Sequence, residues 1–365
     1  MDRNFIFQIL EPHCGLGLKQ QLEELEILFY SFMKRELLCC SNLLQTRIYL
    51  TDAANQLDIV RTSNLYEEFL SAGAVSYIQQ PLIGGEKVAL QLCFTRSSQV
   101  VKTGTSDNLK IEVDGLTLFF HSVRFSPEEV RGMDSEEQTI LAFHRHIEKL
   151  TSLGMTLETN CQRTWIYVRD IDRHYAGVVT GRNKVFAAEG LSSQTHYISS
   201  TGIGGYSDNS EAAVAIDFLS IDGIGRGNVQ YLHALDYLNP THEYGVAFER
   251  GTKLQFDNEA LILISGTASI DKFGKCLHRG DVLTQAGRLF LNIEKLLNDG
   301  GQNLSDVQYM VVYLRDISDY RNIKRYLDLR FPCIPFLILE APVCRPEWLI
   351  EVECVASQFV DSSGK

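Results

Sequence analysis

The chain has 365 residues, 45% of them hydrophobic and 22% charged, a globular composition with length enough for two cores. A net charge of −12 with no Lys/Arg run argues against nucleic acid as a partner, because phosphate backbones are tracked by basic faces. No apolar run approaches the ~20 residues of a membrane span, and MDRNFIFQILEPHCG has neither the basic start nor the long apolar stretch of a secretory signal.

Along the chain, residues 4–10 predict a strand. Residues 17–38 predict a helix, with Leu22, Leu25, Leu28, Phe29 and Phe32 at helical spacing. Arg47 to Leu50 and Ala89 to Phe94 read as short strands, residues 101–110 as a polar loop, and Leu116 to Val123 as a strand again. Thr139 to Leu153 is an amphipathic helix, Cys161 to Val168 a strand rich in aromatic and β-branched residues, and Asp172 to Glu189 a helix closed by Gly190. His196 to Ser200 is extended and runs into a glycine-rich turn, Thr201 to Gly205, before a strand at Ala212 to Ile221. A helix at Asp281 to Asn298, a strand at Val307 to Leu314, a helix at Asp319 to Leu329 and two closing strands follow. In the last strand Leu349 to Val355 alternate, so Glu351 and Glu353 share one face and Ile350 and Val352 the other.

The second half repeats part of the first. Residues 146–171, HIEKLTSLGMTLETNCQRTWIYVRDI, align without gaps on 292–317, NIEKLLNDGGQNLSDVQYMVVYLRDI, sharing I-E-K-L, a Gly, a Gln and Y-x-R-D-I. Two copies of one α/β unit are expected, at residues 1–222 (with a divergent N-terminal part) and 229–358. Each sheet should carry two helices on one face, and the opposite faces should pack together.

The nine cysteines are an odd number, and none form C-x-x-C, so neither a disulfide framework nor a zinc site follows. They read as free thiols in a reducing cytoplasm. His144 and His146, two apart on a helix, face different ways, and no metal or organic cofactor is implied.

Ser265-Gly266, Gly280-Asp281, Gln285, Asn292, Tyr313 to Asp316 and the terminal Ile350-Glu-Val-Glu353 resemble the Rid (YjgF-type) family. Its imine deaminases hold a substrate carboxylate with an arginine. Phe336 stands at that place here and Ser199-Ser200 in the first copy, so the resemblance does not carry deaminase activity over. Over both units, Arg163-Thr-Trp165-Ile-Tyr167, Thr201-Gly-Ile-Gly204, Ser265 to Ile270 and Cys344-Arg345 to Glu353 look like the chorismatases. These split chorismate into pyruvate and a hydroxybenzoate or dihydroxycyclohexadiene carboxylate. The implied fold is α/β (α+β), two tandem Rid/YjgF-like (chorismate mutase-like) domains, each a mixed sheet with two helices on one face.

The resemblance places a catalytic glutamate at Glu351, where a poorly solvated carboxylic acid can protonate an enol ether. The first copy has Ala215 there, whereas Asp217 matches Glu353, which fits a structural role for Glu353. Cys344 is the cysteine of members that make 3-hydroxybenzoate; the plain alternative is a buried strand-end thiol. For a dicarboxylate substrate, Arg163, Arg182 and Arg250 are candidate ligands beside Tyr167 and Tyr244, each also readable as an ordinary surface or core residue. Gly202 lies in a turn that could offer backbone N–H groups, and Gly251 would leave space for the substrate ring.

The expected function is therefore a cofactor-independent chorismatase acting on a small molecule, at a site between the two units. A Rid-type imine or enamine hydrolase and a non-catalytic small-molecule-binding protein of this fold are the alternatives. Two units leave one place open in the three-unit ring usual for Rid subunits. Either the N-terminal segment fills it, giving a monomer with pseudo-oligomeric packing, or chains associate as a homo-oligomer.

Overall fold

The computed structural model describes residues 4–360 and is built on three mixed sheets. The first comprises β1 (Phe5–Leu10), α1 (Leu18–Glu36), β2 (Leu43–Leu50), α2 (Ala53–Arg61), β3 (Ala74–Gln79) and β4 (Val88–Thr95). A hairpin of β5 (Val100–Thr105) and β6 (Asn108–Val113) leads into β7 (Leu116–Val123), α3 (Ser135–Ser152), β8 (Cys161–Val168), α4 (Ile171–Ala188), β9 (Ser199–Gly204) and β10 (Val214–Asp222). After β11 (Val229–Tyr231) and β12 (Gly251–Gln255) come β13 (Glu259–Ala268), α5 (Val282–Asp299), β14 (Val307–Leu314), α6 (Tyr320–Arg330), β15 (Phe336–Glu340) and β16 (Ile350–Phe359).

The strand orders are β1-β4-β2-β3, β5-β6-β7-β10-β8-β9 and β11-β12-β13-β16-β14-β15. Without the added hairpin strands, all three are one topology: a helix follows each of the first two strands, and the second and third strands pair in parallel. The two units expected from the repeat are present. Residues 1–222, expected as one divergent domain, hold two sheets, and the N-terminal segment is a third unit.

Local chemistry explains the elements. Asp281 caps α5 by accepting from the Thr284 N–H at 3.0 Å, and Leu289, Phe290, Ile293 and Leu296 form its buried stripe. Asp134 caps α3 in the same way, with Glu137 completing a capping box. Every residue of β8 is buried, because its alternate faces meet different partners. Ile166 and Val168 pack under α3 and α4, while Arg163, Trp165 and Tyr167 face the other two units.

The helix-free faces of the three sheets meet on a common axis, where register makes residues equivalent. Tyr49, Tyr167 and Tyr313 lie opposite Ala89, Ala215 and Glu351, and Arg47, Trp165 and Val311 lie opposite Gln91, Asp217 and Glu353. Glu353 accepts hydrogen bonds from Arg163 Nη2 at 2.9 Å, Trp165 Nε1 at 2.9 Å and Thr201 Oγ1 at 2.5 Å. Arg47 lies 3.4 Å from Asp217 and 4.0 Å from Glu353, with its guanidinium 4.1 Å above the Trp165 ring. Arg124 pairs with Asp217 at 2.9 Å; although burial opposes it, the two arginines hold the Asp217 carboxyl below its ordinary range.

The sheet edges close the ring with backbone hydrogen bonds. Gln79 N donates to Tyr206 O (2.8 Å), Gly204 N to Pro342 O (2.9 Å) and Glu340 N to Pro81 O (2.8 Å), one link at each junction between units.

Two sequence expectations change. Residues 101–110 are not a loop but most of the β5–β6 hairpin. β5 is a largely exposed edge strand with few buried positions to create an apolar alternation, and it is anchored by Lys102 Nζ donating to Leu43 O and Ala72 O. Thr201 to Gly204 is not a turn but part of β9. Its glycines are required by close approach, since a Cβ on Gly204 would lie 2.7 Å from Pro342 Cδ and one on Gly202 would lie 3.2 Å from the Tyr175 ring.

Removing Arg47 leaves the carboxylates of two units facing each other in the interior. Arg47→Ala is expected to lower the unfolding free energy by about 3–5 kcal/mol, the scale for breaking a buried ion pair. Urea denaturation at pH 7 checks this, and a loss under about 1 kcal/mol would show that the axis is held by apolar packing alone.

Candidate active site between the second and third units

Where β9 meets β13 and β16, register in β13 shifts between Ile264 and Thr267. This is a bulge at Ser265-Gly266, and it joins the two units. Ser200 N donates to Ser265 Oγ at 2.9 Å, and Gly266 N donates to Thr201 Oγ1 at 3.0 Å. The missing side chain of Gly266 makes room for an acid: a Cβ there would stand 2.1 Å from Glu351 Oε1.

Glu351 lies on the wall of a cavity that encloses about 520 Å³, open solvent included. Tyr175, Arg182 and Gly202 come to it from the second unit, and Arg250, Cys344 and Trp348 from the third. Glu351 is 4% exposed. Burial, then the charge of Glu353, raise its pKa to about 8 against the opposing pull of Arg163 and Arg250. At neutral pH this carboxyl carries its proton.

Burial, followed by the charge of Glu351, pushes the Cys344 thiol up to about 12, so it is a protonated group. It hydrogen-bonds Tyr175, whose own hydroxyl is driven well above its ordinary range, chiefly by burial. Of the cationic groups, Arg182 and Arg250 are buried and Arg345 is half-buried. Arg182 projects from α4; Arg250 Nη2 donates to Asn239 O at 3.1 Å; Arg345 Nη1 donates to Gly274 O at 3.2 Å while its guanidinium lies 4.8 Å over Trp348. A protonated carboxyl, a thiol and three guanidinium groups around one cavity suit a dianionic substrate that must receive a proton.

Of the residues singled out in the sequence, Glu351, Cys344, Arg182, Gly202 and Arg250 converge here. Gly202 does so as the seat of the Tyr175 ring, not as the turn N–H donor expected. Arg163 and Tyr167 do not line the cavity. They lie on the axis side of β8, where Arg163 binds Glu353 and Tyr167 faces Arg47, so only the charge of Arg163 reaches Glu351. Gly251 does not provide ring space either, because a Cβ there would meet Ile264 at 3.0 Å and Leu232 at 3.1 Å. Tyr244 belongs to a short helical turn, Thr241–Tyr244, and its side chain lies outside the described residues.

Sequence reasoning did not assign roles to Tyr175, Arg345, Trp348 or Gly266. One signal was available for Tyr175: the gapless repeat that pairs 171 with 317 pairs Tyr175 with Arg321, a change of chemistry within matched helices, like Ala215 against Glu351. Of the places matched to the deaminase arginine, Phe336 and Ser199-Ser200, the uncharged Ser200 lines the cavity.

A family model described as Endoribonuclease L-PSP matches residues 252–358. The 3-aminoacrylate deaminase RutC of Acinetobacter baylyi is 27% identical over 103 residues, 26% of this chain and 78% of that protein. A RutC family protein of Pyrococcus abyssi is 34% identical over 97 residues, 26% of this chain and 76% of the relative. Among solved structures, a chorismatase superposes with a TM-score of 0.69 at 17% identity, covering 98% of this chain and 100% of that one, so the fold is shared along the whole length.

The raised pKa of Glu351 has a consequence for stability. An acid with an ordinary value of 4.5 and a folded value of about 8 binds its proton more tightly when folded, so its contribution to stability falls as pH rises from 4.5 to 8. Glu351→Gln removes this dependence. The variant is expected to melt at a higher temperature than the parent at pH 9, with the gap narrowing as pH falls towards 5. Parallel melting curves across that range would place the Glu351 pKa near its ordinary value.

Proposed function

The chain belongs to the RutC family through its third unit, and from the chemistry of its cavity we propose that it is a cofactor-independent enzyme that cleaves chorismate and releases pyruvate. The observation that carries this reading is the protonated Glu351 in a cavity ringed by Arg182, Arg250 and Arg345. Chorismate brings two carboxylates for the guanidinium groups and an enol ether that must be protonated before it breaks.

Glu351 gives its proton to the terminal carbon of the enol ether. Water adds to the resulting oxocarbenium carbon, and collapse of that adduct expels the ring oxygen as a hydroxyl. The products are pyruvate and a dihydroxycyclohexadiene carboxylate, with one water consumed. In a second course the neighbouring ring hydroxyl displaces enolpyruvate through an epoxide-like intermediate. The ring then loses a proton to become hydroxybenzoate, the enolpyruvate gains one to become pyruvate, and no net water is used. Cys344, a protonated thiol held by Tyr175, stands where it can assist this second course.

Purified protein incubated with chorismate is expected to release pyruvate in a coupled assay. The rate should fall as pH rises through about 8, and Glu351→Gln should lower it by about 10²-fold or more. Cys344→Ala is expected to shift the ring product, read by chromatography, from hydroxybenzoate towards the dihydrodiol, and an unchanged ratio would remove the thiol from the chemistry. No pyruvate above the Glu351→Gln background would overturn the proposal. Turnover of an imino acid in place of chorismate would assign instead the chemistry named for the Acinetobacter relative, despite the uncharged Ser200.

A further inference from the structure

A second chamber lies away from this site, on the common axis between the three sheets. Phe7 of the first unit, Phe120 and Trp165 of the second, and Leu254, Leu263 and Tyr309 of the third help to wall it, around about 650 Å³, open solvent included. A crevice of about 1410 Å³ lies between Asn4, Asp114, Asn228 and Asn258, and Phe5 and Phe256 line both spaces, with ring centroids 5.4 Å apart.

Among the described residues, no charged side chain lines the chamber. Most polar groups in its wall are already committed: Gln91 accepts from Tyr49 Oη at 2.7 Å and donates to Tyr309 Oη at 2.8 Å, and Trp165 Nε1 is held by Glu353. Gln45 differs. It occupies the register position of Arg163 and Tyr309, is half-buried, and its side-chain amide bonds to no described residue. Apolar cavities stay dry and take up small apolar molecules.

We infer that this chamber is a second binding site, for an uncharged single-ring aromatic molecule with one hydrogen-bonding group. The ring sits among the aromatic and aliphatic walls, and its polar group meets Gln45. Carboxylates such as chorismate and hydroxybenzoate are excluded, because nothing in the wall replaces their hydration. The site is independent of whether Glu351 acts on chorismate.

The test is calorimetric titration of the full chain with phenol, benzene and benzoate. Phenol is expected to bind at one saturable site that benzoate does not compete for. Cys93→Phe, which fills the chamber from its wall, should weaken phenol by about tenfold or more, a difference of about 1.4 kcal/mol. Gln45→Leu should weaken phenol while leaving benzene within about twofold, which a folding defect would not reproduce. Pyruvate release should be unchanged by either substitution. Absence of saturable phenol binding, phenol binding insensitive to both variants, or competition by benzoate would each overturn the assignment.

Discussion

Glu353 is the carboxylate on which the assembly of this chain depends. It belongs to the third unit, but Arg163, Trp165 and Thr201 of the second unit bind it, and Arg47 of the first lies between it and Asp217. Apolar faces attract without direction, so three such faces can meet in many rotations. A buried carboxylate cannot: it must find its donors or bear a large desolvation penalty. The ion network therefore selects one register among the arrangements that apolar packing would allow, and the backbone links at the sheet edges follow from that register.

The same network sets up the candidate acid two residues away. Glu351 and Glu353 share one face of β16 and are both buried, yet their surroundings differ. Glu353 is saturated by donors from the second unit. Glu351 occupies the space vacated by Gly266, faces a cavity and stands within the field of its neighbour's charge. A structural carboxylate thus helps to keep a functional one protonated, after burial itself. This links fold to chemistry in a direct way, because whatever loosens the donors on Glu353 also changes the field at Glu351.

Much of this was legible in the sequence, for identifiable reasons. The second and third units share Tyr-x-Arg-Asp-Ile at the strand–helix junction, so their kinship shows in the letters. The first unit keeps only Tyr49-Leu-Thr-Asp52-Ala at that junction and Val88-Ala-Leu-Gln91 on its last strand, a trace too thin to read without the strand order. Glu351 was found because one copy has an acid where the other has alanine. Arg163 was assigned to substrate because an arginine beside two aromatics on a strand reads alike whether it faces a cavity or an axis. Only the third sheet reveals that this face is interior. Trp348 carries no mark in its local pattern, and Tyr175 carries only its mismatch with Arg321 in the repeat; the two line one cavity only when the units are docked.

One covalent chain with three copies of a topology differs in kind from a ring of three identical subunits. In such a ring each codon is read into every interface, so an altered residue is imposed three times over and no interface can depart from the others. Here Ala89, Ala215 and Glu351 occupy matching places at three junctions, and only one of them is acidic. The pseudo-threefold axis likewise holds Gln91, Asp217 and Glu353, a neutral group among two charges, which identical subunits could not provide. Fusion thus turns a symmetric object into an addressable one. One junction can be devoted to a reacting molecule while the others are adjusted for cohesion, at a stoichiometry of one such acid per 41.2 kDa of protein.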